Sequence, residues 1–162
     1  MPTKPSVKQL EKKISKLKGD LFEHKRVSAH FQCIFDAIPD ATVLTDTERR
    51  IIMANPAVEK IFGYKPKEVI GWETRKFYTS REDYEEQGKN RYNLNAKEKL
   101  EPYKVNYRKK DNTIFLSETI GTVVKDEEGD LIGFLGMMRD ISKQQAGKDK
   151  LRKAEFNYRT IA

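Results

Sequence analysis

Apolar residues recur along the chain with two different periods, and each change of period marks a new element. From Ser6 onward Val7, Leu10, Ile14, Leu17 and Leu21 alternate steps of three and four, with Lys and Glu filling the positions between. That is a heptad seam. It predicts an amphipathic helix whose stripe wants a partner, because so polar a helix has little reason to fold alone. The seam weakens through His24 and Ser28, resumes at Phe31, Ile34 and Phe35, and meets Pro39, which places a joint at residues 37–40. Residues 1–5 are expected to be loose.

The period then shortens. Residues 41–45 read as a first strand and 46–49 as the turn into a second, the run Ile51, Ile52 and Met53, expected to be buried. Asn55 offers a side-chain oxygen as a helix cap, and Pro56 has the fixed φ of a first helical position. Val58, Ile61 and Phe62 follow at helical spacing, and Gly63 suits a left-handed stop. Residues 65–71 supply a second stub with its own glycine, and 72–78 are aromatic but irregular. Thr79 and Ser80 with Glu82 and Asp83 carry a capping-box signature, predicting a helix to about Leu94. Tyr84, Gly88, Arg91 and Tyr92 would share one face of it, with Gly88 costing about 1 kcal/mol relative to Ala.

Three strands should follow at 103–109, 113–125 and 131–141, with hairpins at Asp111-Asn112 and Glu128-Gly129. In the last of them Ile132, Phe134, Gly136 and Met138 alternate with Leu131, Leu135 and Met137. Both sets are apolar, so the sheet is expected to be covered on both sides, on the second by the lead-in helix or another protomer. Ser142 to Gln145 is a further capping signature, opening a helix in which Leu151, Ala154, Tyr158 and Ile161 keep heptad steps.

A strand that turns at Asn55-Pro56 into a stub helix ending Gly63-Tyr64 resembles the opening of a PAS domain. Arg108-Lys-Lys-Asp-Asn112, Asp126-Glu-Glu-Gly129 and Gly136-Met-Met-Arg-Asp-Ile-Ser142 resemble that family's basic-Asp-Gly hairpin, acidic glycine hairpin and closing Asp-Ile-Thr element. Order and spacing fit over residues 31–142. Arg49 and Asn112 stand where the family usually has glycine. Asn112 still tolerates a positive φ, whereas Arg49 points to a slightly different first hairpin. The resemblance implies an α+β PAS fold: a five-stranded antiparallel sheet with short helices on one face, flanked by N-terminal and C-terminal coiled-coil-like helices. Residues 1–30 would be the lead-in helix, 31–141 the domain and 142–162 an exit helix. Residues 155–162 also resemble the chain's own lead-in at 28–35, Tyr158 falling on Phe31 and Ile161 on Ile34. Either a second copy begins there or the match is chance.

At 162 residues there is room for one domain with a proper core, plus appendages. No apolar run approaches the roughly 18 residues of a membrane span, and the N-terminus shows no apolar signal segment. The chain is expected to be soluble and cytoplasmic. Cys33 is the single cysteine, so no disulfide framework and no cysteine metal cluster is expected. The net charge of +7 invites a nucleic-acid reading. Residues 1–30 hold eight Lys or Arg against three Asp or Glu, and 142–162 hold six against two, whereas 31–141 hold eighteen against twenty. The excess thus sits on the terminal helices, where solvated lysines explain it, and a nucleic-acid partner is not expected.

Catalytic chemistry has little to work with: no phosphate-cradling glycine loop, no nucleophile beside a histidine, no phosphoacceptor histidine in the last helix. No catalytic residue and no metal site is expected. The resemblance implies instead a small-molecule site between sheet and helices. Haem binding in the family uses a histidine of the long helix, but His24 and His30 both lie in the lead-in, so haem is not expected. A covalently linked flavin needs a cysteine within 72–78, where none stands; Cys33 reads as a buried, inert thiol. By resemblance to the flavin-binding branch, Asn106, Ser117, Thr119, Phe134 and Met138 would point inward, and Met53 completes the candidate pocket. Met138 takes the place of that branch's flavin-contacting glutamine, whose two-sided hydrogen bonding a thioether cannot reproduce. A pocket for a small metabolite, a fatty acid or water, and a simply packed core, both remain open.

The expected function is that of a sensory module in a larger signalling protein, with a histidine kinase or cyclic-dinucleotide synthase as downstream output domain. The signal would pass through Arg139, Asp140, Ile141 and Ser142, Asp140 favouring the helix start and pairing with Arg108 or Lys109. A homodimer is expected through Leu10, Ile14, Leu17 and Leu21 and the outer sheet face. The other reading is a ligand-free interaction module.

Overall fold

The structure, a computed structural model, describes residues 3–161. Met1 and Pro2 of the expected loose lead, and Ala162 at the end of the segment resembling a second lead-in, lie outside the described residues. Among the described residues two compact units are distinguished, divided between Ala37 and Ile38. The first is one helix, α1 (Val7–Ala37), starting with Ser6 Oγ accepting from Gln9 N and Gln9 Oε1 accepting from Ser6 N. Leu10, Ile14, Leu17 and Leu21 are all exposed along it, 45–58 %. Cys33 is exposed too, against the expectation of a buried thiol, as is nearly all of α1, in which Phe35 is the buried residue.

The second unit is an antiparallel sheet of five strands, β1 (Ala41–Thr45), β2 (Ile51–Ala54), β3 (Tyr103–Arg108), β4 (Ile114–Lys125) and β5 (Leu131–Asp140), in the order β2-β1-β5-β4-β3. Between β2 and β3 run α2 (Ala57–Phe62), α3 (Pro66–Val69), a 3₁₀ turn (Thr74–Phe77) and α4 (Arg81–Asn90); α5 (Ser142–Ile161) follows β5. The core lies between the sheet and these short helices. Phe62 of α2 packs against Phe77 at 4.4 Å, Phe115 at 5.2 Å and Tyr107 at 5.7 Å between ring centres. Val43, Ile51, Val58, Val69 and Val105 fill in around them.

The turn chemistry explains the element boundaries. Gly63 takes φ 84° and its N–H donates to Glu59 O, closing α2, as its missing Cβ permits. Asn55 is fully buried, and its Oδ1 accepts from Thr42 N at 2.9 Å while Nδ2 donates to the Ile38 and Asp40 carbonyls. The side chain thus clamps the start of β1 to the end of β2 instead of capping the helix as expected, and α2 opens at Pro56 without a side-chain cap.

Four expectations need correction. In β2 the ladder to β1 shifts register, pairing Leu44 with Met53 and Thr45 with Ile51, so Ile52 is left unpaired and exposed rather than buried. In β5 Ile132 leaves the face of Phe134, because a bulge pairs Val124 with Gly133 but Lys125 with Leu131, stranding the extra residue in solvent. α4 stops at Asn90, short of Leu94, where Asn93 Nδ2 folds back onto the Gly88 and Lys89 carbonyls. Finally, the Ser142–Gln145 capping box does not form. The Ser142 hydroxyl accepts from Leu116 N at 3.0 Å and Gln145 bonds Lys104 and Asp149, leaving Asp140 Oδ1 to accept from Ser142 N.

Candidate functional site

Alternation along the strands decides which side chains face the helices. On β5 these are Phe134, Gly136 and Met138; their partners across the ladders are Thr45, Val43 and Ala41 on β1, and Thr119 of β4 sits beside Met138. Tyr107 of β3 joins them, and Phe77 and Tyr78 approach from the 3₁₀ turn. Arg49, from the β1–β2 turn, and Tyr92, just past α4, close the remaining side around a cavity of about 30 Å³. That is room for roughly two waters.

Arg49 has the least ordinary position. The Asp46 carboxylate holds its turn by accepting from Glu48 N and Arg50 N, both at 2.9 Å, and Arg49 itself takes φ 64°. A left-handed conformation costs a residue with a side chain about 1–2 kcal/mol, so the hairpin keeps the glycine conformation without the glycine. The side chain is 7 % exposed. Its Nη1 donates to the Tyr84 carbonyl at 2.9 Å and Nη2 to the Tyr78 hydroxyl at 3.3 Å. The guanidinium lies 3.7 Å from the Tyr84 ring centre and 4.7 Å from that of Tyr92. Arg49 forms no ion pair among the described residues.

A run of hydroxyls faces it. Ser117 and Thr119 share a hydrogen bond at 3.0 Å, Thr119 donates to Tyr107 at 3.3 Å, and Tyr92 and Tyr103 share one at 2.9 Å. Burial pushes the phenols of Tyr92, Tyr103 and Tyr107 well above their ordinary range, so all three stay protonated. Thr74 Oγ1, also on the cavity wall, is buried with no partner. Tyr92 is seated against Gly121 of β4, where a Cβ would fall 1.8 Å from its hydroxyl oxygen.

Of the six pocket candidates read from the sequence, Thr119, Phe134 and Met138 line the cavity. Ser117, fully buried, stands one hydrogen bond behind Thr119. Asn106 does not point inward: it is exposed, because Val105 and Tyr107 take the inner positions of β3. Met53 lies across from Leu44, on the side of the sheet away from Val43, and does not line the cavity. Arg49, Thr74, Tyr78 and Tyr92 were not foreseen. The sequence marks Arg49 only as an unusual residue for its turn; its contacts, with Tyr78 and Tyr84, lie 29 and 35 residues away.

The expected signalling residues meet at the β5–α5 junction. Arg139 donates to Asp40 through Nε at 3.0 Å and Nη2 at 2.9 Å, tying β5 to the entry of β1. Asp140 pairs with Lys109 at 3.1 Å, not Arg108, and accepts from Ser142 N at 3.0 Å. Burial works to raise its pKa, but Ser142 and the Lys109 ammonium outweigh that and hold it below the ordinary carboxylate value. Ile141 is buried and donates to the Leu116 carbonyl at 3.0 Å.

The cavity is about a tenth of the roughly 300 Å³ at which small-molecule pockets ordinarily begin, and no His or Cys lines it. Among the described residues no group of three His, Cys, Asp or Glu could hold a metal, and no helix is long and apolar enough to cross a membrane.

Comparison with known proteins gives a consistent picture. The sequence model of the PAS domain matches residues 39–143. Phototropin-1A of Oryza sativa subsp. japonica is 32 % identical over 126 residues, which are 76 % of this chain but only 14 % of that protein. Among solved structures, the PAS domain of an HTR-like protein from Haloarcula marismortui superimposes with a TM-score of 0.63 at 21 % identity, covering 76 % of this chain and 99 % of the other. A PAS domain from a two-component sensor histidine kinase gives 0.57 at 18 % identity, covering 72 % and 98 %.

Proposed function

The chain belongs to the PAS domain family, and from that premise we propose that it is the sensory module of a larger signalling protein. The occupancy of the buried cavity is relayed through β5 into α5 and onward to an output domain. The observation that carries this reading is the double duty of β5. Phe134, Gly136 and Met138 wall the cavity, and the next four residues fasten α5 to β1, β3 and β4. A strand is stiff along its length, so a displacement at Met138 reaches Arg139 and Asp140 without a flexible link between. The chain itself performs no reaction on this reading. Its output would be a histidine kinase or cyclic-dinucleotide synthase in the cytoplasm, and the PAS domain of a histidine kinase among its structural neighbours supports the first.

Asp140→Ala tests the relay. In the intact signalling protein it should decouple input from output while circular dichroism of the purified chain stays that of the folded domain. Signalling unchanged by the substitution would remove the proposal.

A second reading is supported by the exposed stripe of Leu10, Ile14, Leu17 and Leu21: a homodimer through α1 and the outer face of the sheet, serving as an interaction module without a ligand. Native mass spectrometry of the purified chain separates the two. A retained small molecule supports the sensor, and a bare dimer supports the interaction module.

A further inference from the structure

The cavity wall holds more hydrogen-bond donors than acceptors can serve. The Arg49 guanidinium has five N–H bonds; Nη1 donates to the Tyr84 carbonyl and Nη2 to the Tyr78 hydroxyl. The Tyr78 oxygen accepts from Arg49 while its phenol proton finds no acceptor among the described residues, and the Tyr107 hydroxyl, which accepts from Thr119, has only the Tyr103 hydroxyl beside it. Thr74 Oγ1 is buried without a partner on the same wall. No carboxylate lines the cavity, and Arg49 makes no ion pair among the described residues. A buried cation lacking a counter-charge is costly, and so are donors left without acceptors. The missing component is an acceptor with negative charge.

We propose that the cavity takes a small planar oxyanion, a short-chain carboxylate or nitrate. Its charge is balanced by Arg49, and its oxygens accept from Arg49, Thr74 and the hydroxyls of Tyr78 and Tyr107. This rests on the reading of the cavity as a ligand site and adds the chemical class of the ligand. Size sets the upper limit: a cavity of about 30 Å³, with room for roughly two waters, admits only the smallest members of this class. Phe77, Phe134 and Met138, which also line the cavity, suit a methyl or a flat face better than further charge. Water could accept some of the same hydrogen bonds, but it leaves the guanidinium unbalanced.

The test uses the full chain at fixed ionic strength in sodium acetate, sodium nitrate or sodium chloride, with ethanol as an uncharged probe of similar size. The readouts are Tm and the NMR signals of the Arg49 side-chain N–H and the Met138 and Thr119 methyl groups. Acetate or nitrate should raise Tm saturably above chloride and shift all three signals. Arg49→Gly should abolish the saturable part, and Thr74→Val, which keeps the shape and removes the lone hydroxyl, should weaken binding roughly tenfold. No saturable effect of either oxyanion beyond chloride overturns the proposal, as does an undiminished effect in both variants. If ethanol alone shifts the methyl signals saturably, the anion assignment fails and the ligand site stands. If no probe shifts them, both fail.

Discussion

Gly121→Ala is the sharpest probe of how the site is closed. In a strand this substitution is ordinarily favourable by about 0.5–1 kcal/mol, because alanine loses less backbone freedom on folding. Here the new Cβ would lie 1.8 Å from the Tyr92 hydroxyl oxygen and 2.4 Å from the ring carbon bearing it, where ordinary contact starts at 3.4 Å. The hydroxyl would have to retreat by about 1.6 Å. The 2.9 Å bond to Tyr103 does not survive a shift of that size, and the ring is itself held edge-on to Phe134 at 5.6 Å. Overpacking costs about 1–3 kcal/mol and a buried hydroxyl left unpaired about 1–3 more. The net loss of about 2–5 kcal/mol lowers Tm by roughly 4–20 °C in a chain of this size. Calorimetry on a double-mutant cycle with Tyr92→Ala isolates the clash. In the Tyr92→Ala background Gly121→Ala should cost nothing or stabilise slightly. Equal losses in both backgrounds would refute the seating of Tyr92 against β4.

Two further substitutions test the frame around the site. Asn55→Ala strips partners from Thr42 N and from the Ile38 and Asp40 carbonyls and should cost about 3 kcal/mol or more in urea unfolding; a loss below about 1 kcal/mol would show that the clamp carries little weight. Asp140 has its pKa depressed in the folded state, so its contribution is complete above the unfolded value of about 3.9 and is lost as pH falls through the lower folded value. Asp140→Asn should therefore be less stable than the parent at neutral pH but lose less stability on acidification from pH 5 downward, and parallel pH curves for the two proteins would contradict the assignment.

The fold was legible wherever a signal was local. Gly63, Gly71, Asn112 and Gly129 all adopt the positive φ that their turns need, and the change of apolar period located every strand. Ser80 caps α4 through Asp83 N, as its sequence signature requires. The same signature misled at Ser142, because the hydroxyl finds a better-placed donor in Leu116, 26 residues earlier. Parity alone would have turned Asn106 outward, since Tyr103, Val105 and Tyr107 form the apolar set of β3; resemblance to a flavin site pulled the other way. The closing half of the site was not legible at all. Arg49 acquires its meaning from Tyr78 and Tyr84, 29 and 35 residues away, and no local pattern announces a guanidinium stacked under tyrosines.

The position of Arg49 also bears on how the proposed relay would work. Glycine at this turn would fold with less strain, so the arginine conformation is stable only because contacts with Tyr78, Tyr84 and Tyr92 outweigh it. Those rings belong to the irregular segment, to α4 and to the chain just past it, whereas the sheet contributes Thr119, Phe134 and Met138 to the cavity wall. An occupant that draws the guanidinium toward itself therefore pulls on the helical side and presses on β5 at once. The helical side has the slack to yield: α4 has no fully buried residue, and it ends in a chain held by side-chain bonds from Asn93. β5 has little, being paired with β4 along its length and with β1 from Phe134 to Met138, and anchored at its end by Arg139 and Asp140. Movement of β5 is then transmitted to α5 rather than absorbed, so an Arg49 variant should alter hydrogen exchange at the start of α5 even though no atom of Arg49 touches it. Unchanged exchange there, with α4 alone loosened, would confine the response to the helical side and separate the cavity from the exit helix.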